Sequence, residues 1–284
     1  MNKLRIVVPK GRIQRNVVSL LEASGVRLLS DERQYKPVVS DAEIEIKIMK
    51  PQNIPRLVEL GSHDAGFTGL DWIRETGADV EDLMDLGFDP VRVVAAAPEE
   101  LDLDALSGRR VVVASEYEQL ANRWLTDHGL DFVLIRTFGA TEVFPPEDAD
   151  LIIDNTATGR TLEEHRLRIL DTLMTSSTRF IANREAMSDP WKQTKLNRLL
   201  LLFDAIFNAR KRVMLEMNVP ADVFEPVLQV LPAMRAPTVA PLHGENGYSV
   251  KVAVQRSQAA ALVVQLKEMG ARDILEYELK KVMA

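Results

Sequence analysis

Apolar runs of strand length that alternate with helix-length segments predict an α/β chain with a parallel sheet. A change of pattern near Lys211 predicts a second, smaller unit of order βαββαβ, which is a ferredoxin-like order. The chain has 284 residues, a length that suggests two domains and leaves room for three small ones.

The elements follow in order. Leu4 to Val8 reads as a strand, Pro9-Lys10-Gly11 as a turn, and Ile13 to Ala23 as a helix ended by Gly25. Ile44 to Met49 is a strand closed by Lys50-Pro51, and Asn53 to Leu60 a short helix stopped by Gly61. Ala65 to Thr68 is a strand end, and Asp71 to Thr76 opens a helix. A second α/β unit begins near Val91. Its strands are Val91 to Ala96, Arg110 to Ala114, Phe132 to Arg136 and Leu151 to Ile153, with a helix at Gln119 to His128. Arg179 to Ala182 is a strand that leads back toward the first unit. Beyond Lys211, strands at Arg212 to Met217, Thr238 to Ala240, Tyr248 to Val254 and Asp273 to Glu276 surround helices at Ala221 to Leu231 and Ser257 to Met269.

Composition narrows the function. At 46% hydrophobic and 27% charged, the chain has the make-up of a globular protein with a sizeable core. A net charge of −7 leaves no basic excess for general nucleic-acid binding. There is no cysteine, which removes thiol chemistry and fits a reducing, cytoplasmic setting. No run reaches the ~20 apolar residues of a membrane span. The most apolar stretch, Leu199 to Phe203, reads as a buried or interface helix. The four histidines are scattered without metal-ligand spacing. His63 and His128 read as surface residues in turns, His165 as a solvated face or a substrate contact, and His243 as part of a turn in the last unit.

One segment carries chemistry. Asp154-Asn155-Thr156-Ala157-Thr158-Gly159-Arg160-Thr161-Leu162 follows the strand Leu151-Ile152-Ile153 and precedes a helix start at Glu163 to Arg166. A strand running through a Thr/Gly loop into a helix gathers N–H donors on one point, which favours a phosphate. Gly159 permits close approach, Thr158 and Thr161 add hydroxyls, and Arg160 adds a guanidinium. Asp154 stands at the strand's carboxyl end, facing a sugar diol or a bound Mg²⁺. A sugar carrying a 5′-phosphate satisfies all of these groups. The plainer alternative is a capping box of Thr161 with Glu164, beside a turn at Asp154-Asn155.

The Asp-x-x-x-Thr-Gly-x-Thr run resembles the phosphoribosyl pyrophosphate loop of phosphoribosyltransferases. Over nearly its whole length the chain resembles the long-form ATP phosphoribosyltransferases, the first enzymes of histidine biosynthesis. Leu4 to Arg12, Asp64 to Asp71, Gly139 to Glu142 and Ala236 to Leu242 carry that resemblance beside the loop. It implies a two-lobed core like the type II periplasmic-binding proteins and a C-terminal ACT-like regulatory domain. Lobe I is expected at 1–92 with 182–210, lobe II at 93–181, and the histidine-binding domain at 211–284. The implied reaction moves the phosphoribosyl group onto N1 of ATP, with Mg²⁺ as cofactor and histidine as inhibitor. A cytoplasmic homo-oligomer, from dimer to hexamer, is also implied.

The resemblance assigns residues as well. Asp154 and Arg160 are the expected catalytic pair, with Asp154 also the metal ligand. Ala157, Thr158, Gly159 and Thr161 join them around phosphoribosyl pyrophosphate. Lys10, Gly11, Lys50, Asp71, Tyr117 and Glu142 are expected at ATP. Arg12 meets phosphates or is a solvated turn residue. Asn218, Thr238 and Asp273 are expected at regulatory histidine. Two departures stand out. Asp89-Pro90-Val91 precede Arg92 where the family has Gly and a small residue, and Asn218 and Asp273 replace an Asp and a small residue. A two-lobed anion sensor and a phosphoribosyltransferase for another base remain the alternatives.

Overall fold

The computed structural model describes residues 2–29, 34–232 and 236–283. The ends of the expected first and last domains, Met1 and Ala284, and residues 233–235 of the expected C-terminal domain lie outside the described residues. The chain divides into two compact units, Met1–Leu196 and Asn197–Ala284.

The first unit begins with β1 (Leu4–Pro9), α1 (Gln14–Ala23), β2 (Ile44–Met49), α2 (Ile54–Glu59), β3 (Ala65–Gly69), α3 (Leu70–Thr76) and β4 (Glu81–Asp85). The chain then enters β5 (Val91–Pro98), α4 (Leu103–Leu106), β6 (Arg110–Ser115), α5 (Glu118–Asp127), β7 (Asp131–Arg136), β8 (Leu151–Thr156), α6 (Arg160–Glu164) and β9 (Leu167–Ser176). It returns through β10 (Thr178–Ala182) and α7 (Arg184–Ser188) to α8 (Pro190–Arg210), whose residues from Asn197 onward belong to the second unit. Two five-stranded sheets result, ordered β2-β1-β3-β10-β4 and β7-β6-β8-β5-β9.

Both sheets follow one plan. Three parallel strands, β2-β1-β3 or β7-β6-β8, are joined by an antiparallel strand from the other side of a crossing, β10 or β5. The last strand, β4 or β9, pairs only with that visitor. Two α/β lobes with two crossings make the two-lobed type II periplasmic-binding-protein-like fold. The alternation of buried Leu4, Ile6 and Val8 in β1 with Ile44, Ile46 and Ile48 in β2 shows why these runs pair as strands. In α8, buried Leu196, Leu199, Phe203 and Ile206 recur at helical spacing. No described helix is long and apolar enough to cross a membrane.

The second unit holds β11 (Arg212–Pro220), α9 (Phe224–Val230), β12 (Thr238–Pro241), β13 (Gly247–Gln255), α10 (Arg256–Glu268) and β14 (Arg272–Glu278). Its antiparallel sheet runs β12-β13-β11-β14, the ferredoxin-like order expected of βαββαβ. Alternate β11 residues Val213, Leu215, Met217 and Val219 are buried in its core with Leu262 and Leu266 of α10.

Three local expectations change. Asp154, Asn155 and Thr156 belong to β8, paired with Val94, Val93 and Arg92, so the loop proper is Ala157 to Gly159. The helix after it starts at Arg160, earlier than expected, and lasts only 5 residues. Two strands have no counterpart in the expected order: β4, whose Glu81-Asp82 start looks like a loop, and β9, whose charges interrupt its apolar pattern.

Candidate active site

The parallel strands of both lobes end at the same cleft, where ligands of α/β sheets collect. Lys10 follows β1, Lys50 follows β2, and α3 starts directly after β3. Across the cleft Glu116 follows β6, Arg136 ends β7 and Asp154 to Thr156 end β8. Two cavities open there. The larger, about 780 Å³, is lined by Lys50, Arg56, Arg74, Arg123 and Arg136 against only two carboxylates, Glu75 and Glu116. In a chain of net charge −7 this is a local cluster of cations, of which Arg56 pairs with Glu59 and Arg136 with Glu118. The smaller, about 200 Å³, is lined by Lys10, Arg12, Asp71, Asn155 and Ser176. Gln52, Trp72 and Glu116 line both, so the cavities meet at these three side chains.

A buried network ties the lobes together beneath the cleft. The Tyr117 hydroxyl donates to Asp71 Oδ2 at 2.6 Å, and Ser176 Oγ donates to Asp71 Oδ1 at 2.6 Å. Asn155 Nδ2 donates to the Tyr117 oxygen at 3.0 Å. Trp72 stacks on Tyr117 with ring centroids 4.5 Å apart. Burial and the facing Asp71 carboxylate push the Tyr117 phenol well above its ordinary pKa, so it stays a donor. Gly69 makes room for this arrangement, since a Cβ there would stand 2.0 Å from Asp71 Oδ1. Glu75 of α3 adds a second tie, accepting from the Gln119 and Leu120 N–H groups that open α5. Burial raises its carboxyl pKa.

Two of the expected ATP residues belong to this network. Tyr117 is 0% exposed and Asp71 4% exposed; the Tyr117 hydroxyl bonds Asp71 Oδ2, while Asp71 Oδ1 is taken by Ser176 and the Tyr117 oxygen also accepts from Asn155. Asp71 also lines the smaller cavity. Gly69 is the N-cap of α3, and Asp71 stands in the helix's first turn.

At the end of β8, Asp154 is half-buried, and burial lifts its carboxyl to about 6, with the nearby charges of Glu116 and Glu142 adding to the rise. Its Oδ1 accepts from the Asn155 N–H at 2.6 Å. Beyond it, Thr156 Oγ1 accepts from the Gly159 N–H at 2.9 Å, and Gly159 takes φ +88°, a left-handed conformation natural to glycine. The expected capping box is absent: Gly159 is the N-cap, and Glu164 pairs with Arg160 at 2.8 Å. The Arg160 side chain is 82% exposed. α6 has only 5 residues, so the loop, the hydroxyls of Thr158 and Thr161 and the exposed Arg160 side chain stand beside a single short helical turn.

The other expected residues scatter. Lys50 faces the larger cavity and Lys10 the smaller, while Gly11 lies with Lys10 and Tyr35 on a separate cavity of about 340 Å³. Glu142, in a short 3-10 turn, reaches Asp154 only through its charge. Asp89, the family departure, takes φ +47°, accepts from Asn16 Nδ2 at 3.0 Å and lies 4.0 Å from Arg12 Nε. In the second unit Asn218 Nδ2 donates to Asp273 Oδ2 at 2.9 Å, so two expected histidine residues do meet. Thr238 is not beside them, since β13 lies between β12 and β11 and the pairing puts Asn218 opposite Ser249 and Ala240. His63, expected at the surface, is 9% exposed, and burial with Lys47 and Arg5 lowers its pKa. Among the described residues no group of three or more His, Asp or Glu gathers as a metal cluster.

Gln52, Trp72, Glu116, Arg136 and Asn155 were not among the expected site residues. The signal that finds them is position: Gln52 lies just beyond the end of β2, Trp72 just beyond β3, Glu116 just beyond β6, and Arg136 and Asn155 end β7 and β8.

Comparison with known proteins agrees with this architecture. A family model described as ATP phosphoribosyltransferase matches residues 50–204, and one described as HisG, C-terminal domain, matches residues 209–281. The ATP phosphoribosyltransferase of Pelotomaculum thermopropionicum is 38% identical over 289 aligned residues, which span 99% of both chains. That of Desulforudis audaxviator is 40% identical, again over 99% of both. Among solved structures, the ATP phosphoribosyl transferase (HisG:HisZ) complex from Thermotoga maritima matches with TM-score 0.64 at 24% identity, covering 71% of this chain and 98% of that one. That last likeness is one of fold.

Proposed function

This chain belongs to the ATP phosphoribosyltransferase family, and from that premise we propose how its cleft performs the transfer. The activity is that of histidine biosynthesis: phosphoribosyl pyrophosphate and ATP give N1-(5-phosphoribosyl)-ATP and pyrophosphate. The supporting observation is the pair of polar cavities that meet at Gln52, Trp72 and Glu116, beside the end of β8. Two anionic substrates need two binding regions that converge on one reacting pair of atoms.

In this reading the 5′-phosphate lies on Ala157, Thr158, Gly159, Arg160 and Thr161, and the ribose hydroxyls face Asp154. Pyrophosphate points toward Lys10 and Arg12, and the ATP phosphates follow Lys50, Arg74, Arg123 and Arg136. The C1′–O bond breaks and its electron pair leaves with pyrophosphate, while the N1 lone pair forms the N1–C1′ bond. Positive charge on the ribose builds near Asp154, whose carboxylate is poorly solvated and so gains most from a cation. The same property fits Mg²⁺, with Asp154 as the one protein ligand assigned and substrate oxygens supplying the rest. When bound, the ion neutralises charge on the departing pyrophosphate.

The proposal divides the chain into lobe I (1–92 with 182–210), lobe II (93–181) and a regulatory domain (211–284). The last has no part in the cleft chemistry, and histidine binding at Asn218 and Asp273 is its assigned work. The setting assigned is a cytoplasmic homo-oligomer. The test is pyrophosphate release with ATP and phosphoribosyl pyrophosphate, with and without Mg²⁺ and with added histidine. Release that needs both substrates and Mg²⁺ supports the reading. No release with ATP, but release with another base, overturns it.

A further inference from the structure

The junction of the two cavities carries an unexplained polar atom. Gln52 Oε1 is buried and accepts no hydrogen bond from any described residue. Buried polar atoms are nearly always paired, so an orphan at a cleft is a candidate for a ligand's donor. The other end of the same amide reaches across the cleft, where Nε2 donates to Glu116 Oε2 at a long 3.3 Å. Gln52 comes from lobe I, in the 3-10 turn after β2, and Glu116 from lobe II, just beyond β6. Among the described residues, two acceptors from opposite lobes thus stand together with no donor recorded between them but that stretched amide. Trp72, one face covered by Tyr117, borders the same junction.

We propose that Gln52 Oε1 and Glu116 receive the two hydrogens of the adenine 6-amino group, and so select adenine and activate its N1. This rests on the ATP phosphoribosyltransferase reading above. An amino group is a double donor, and its two hydrogens suit two acceptors facing each other across a closing cleft. A purine with a 6-carbonyl presents an acceptor to these acceptors and is rejected by repulsion as well as by lost bonds.

The same contacts act on the chemistry. When N1 attacks C1′ and the C1′–O pair departs with pyrophosphate, positive charge spreads over N1, C6 and the 6-amino nitrogen. Hydrogen bonds from that amino group to a carboxylate and an amide oxygen strengthen as the charge builds, which is stabilisation specific to the transition state. No proton has to leave during the step. Glu116 also lies within electrostatic reach of Asp154, where the ribose is assigned, so base and sugar meet between the two carboxylates.

The test compares ATP with purine riboside triphosphate, which lacks only the 6-amino group. In the intact chain the ratio of kcat/KM, ATP over the analogue, is expected to be about 100-fold, the value of one neutral and one charge-assisted hydrogen bond. In Gln52→Leu and in Glu116→Gln that ratio falls at least several-fold, with the affinity for phosphoribosyl pyrophosphate unchanged by calorimetry. A parent ratio near one, or a ratio equally large in both variants, overturns the proposal. Calorimetric affinities of the two nucleotides for the parent chain separate this proposal from the activity itself. If no pyrophosphate is released with any base, the activity reading fails. A preference for ATP in binding that Gln52→Leu abolishes then still sustains the amino-group contact, and equal affinities end it.

Discussion

Asp154→Asn is expected to make the protein more stable and less active at the same time. The carboxyl rises from 3.8 to about 6, chiefly through burial. At about 1.36 kcal/mol per pKa unit, that rise corresponds to about 3 kcal/mol by which folding disfavours the ionised form. Asp154 keeps some exposure, and solvent screening reduces the figure to about 2 kcal/mol. The sign follows from linkage. A group whose folded pKa is raised adds stability as pH falls through about 6 toward 3.8, and loses it again as pH rises. The parent therefore carries the cost above about pH 6, whereas the asparagine carries none, and its carbonyl still accepts from the Asn155 N–H. For a unit of this size, about 2 kcal/mol is roughly 4–8 °C in Tm. Thermal unfolding of both chains at about pH 8 and about pH 4 is the assay, with acid effects common to both cancelling in the difference. Asparagine is expected to lead at high pH and to lose its lead at low pH, while turnover falls sharply. The parent's kcat/KM for phosphoribosyl pyrophosphate rises with pH through about 6. A variant that is less stable at about pH 8, or a Tm difference that ignores pH, refutes the account, because the carboxylate would then be compensated within the chain.

Four further outcomes follow from the same geometry. Tyr117→Phe leaves Asp71 Oδ2 without its donor inside the core, so the Tm drops by the equivalent of about 1–3 kcal/mol and kcat falls more than the KM values rise. Gly69→Ala drives a methyl against Asp71 Oδ1 and breaks its bond with Ser176, a loss of about 1–3 kcal/mol seen by urea unfolding. Arg160→Ala gives up only an exposed pair with Glu164, so stability stays within about 0.5 kcal/mol while phosphoribosyl pyrophosphate affinity falls about tenfold by calorimetry and ATP affinity holds. Asn218→Asp places a second carboxylate 2.9 Å from Asp273 Oδ2, which lowers the Tm at neutral pH and lets it recover as pH falls and the pair shares a proton.

The strands that read clearly in the sequence are those whose apolar residues form a compact run or a strict alternation, such as Leu4 to Val8 and Ile44 to Met49. β4 and β9 escaped because charges such as Glu81, Asp82, Arg168 and Asp171 interrupt them and erase the apolar pattern. The site divides the same way. The loop around Gly159 is contiguous, so its residue types and spacing can be read together in the sequence. Gln52 and Glu116 stand 64 positions apart in the sequence and acquire a shared meaning only when two lobes face each other. Nothing local in the sequence reveals that Tyr117 and Asp71, 46 positions apart, bond each other across the two lobes.

The visiting strands bear on how the protein is made. β4 has only β10 as a neighbour, and 92 residues separate their hydrogen-bonded Asp85 and Ser177 flanks. As the chain leaves the ribosome, β4 must wait with both edges bare until the whole opposite lobe has been synthesised and β10 arrives. The sheet β2-β1-β3-β10-β4 is therefore completed only by the last strand of its unit to emerge, and a chain stalled after β9 exposes β3 and β4 as open edges. Such edges recruit strands from other chains. The acidic residues Glu81, Asp82 and Asp85 on β4 give that waiting strand a charged surface, which discourages pairing with another copy of itself during the delay.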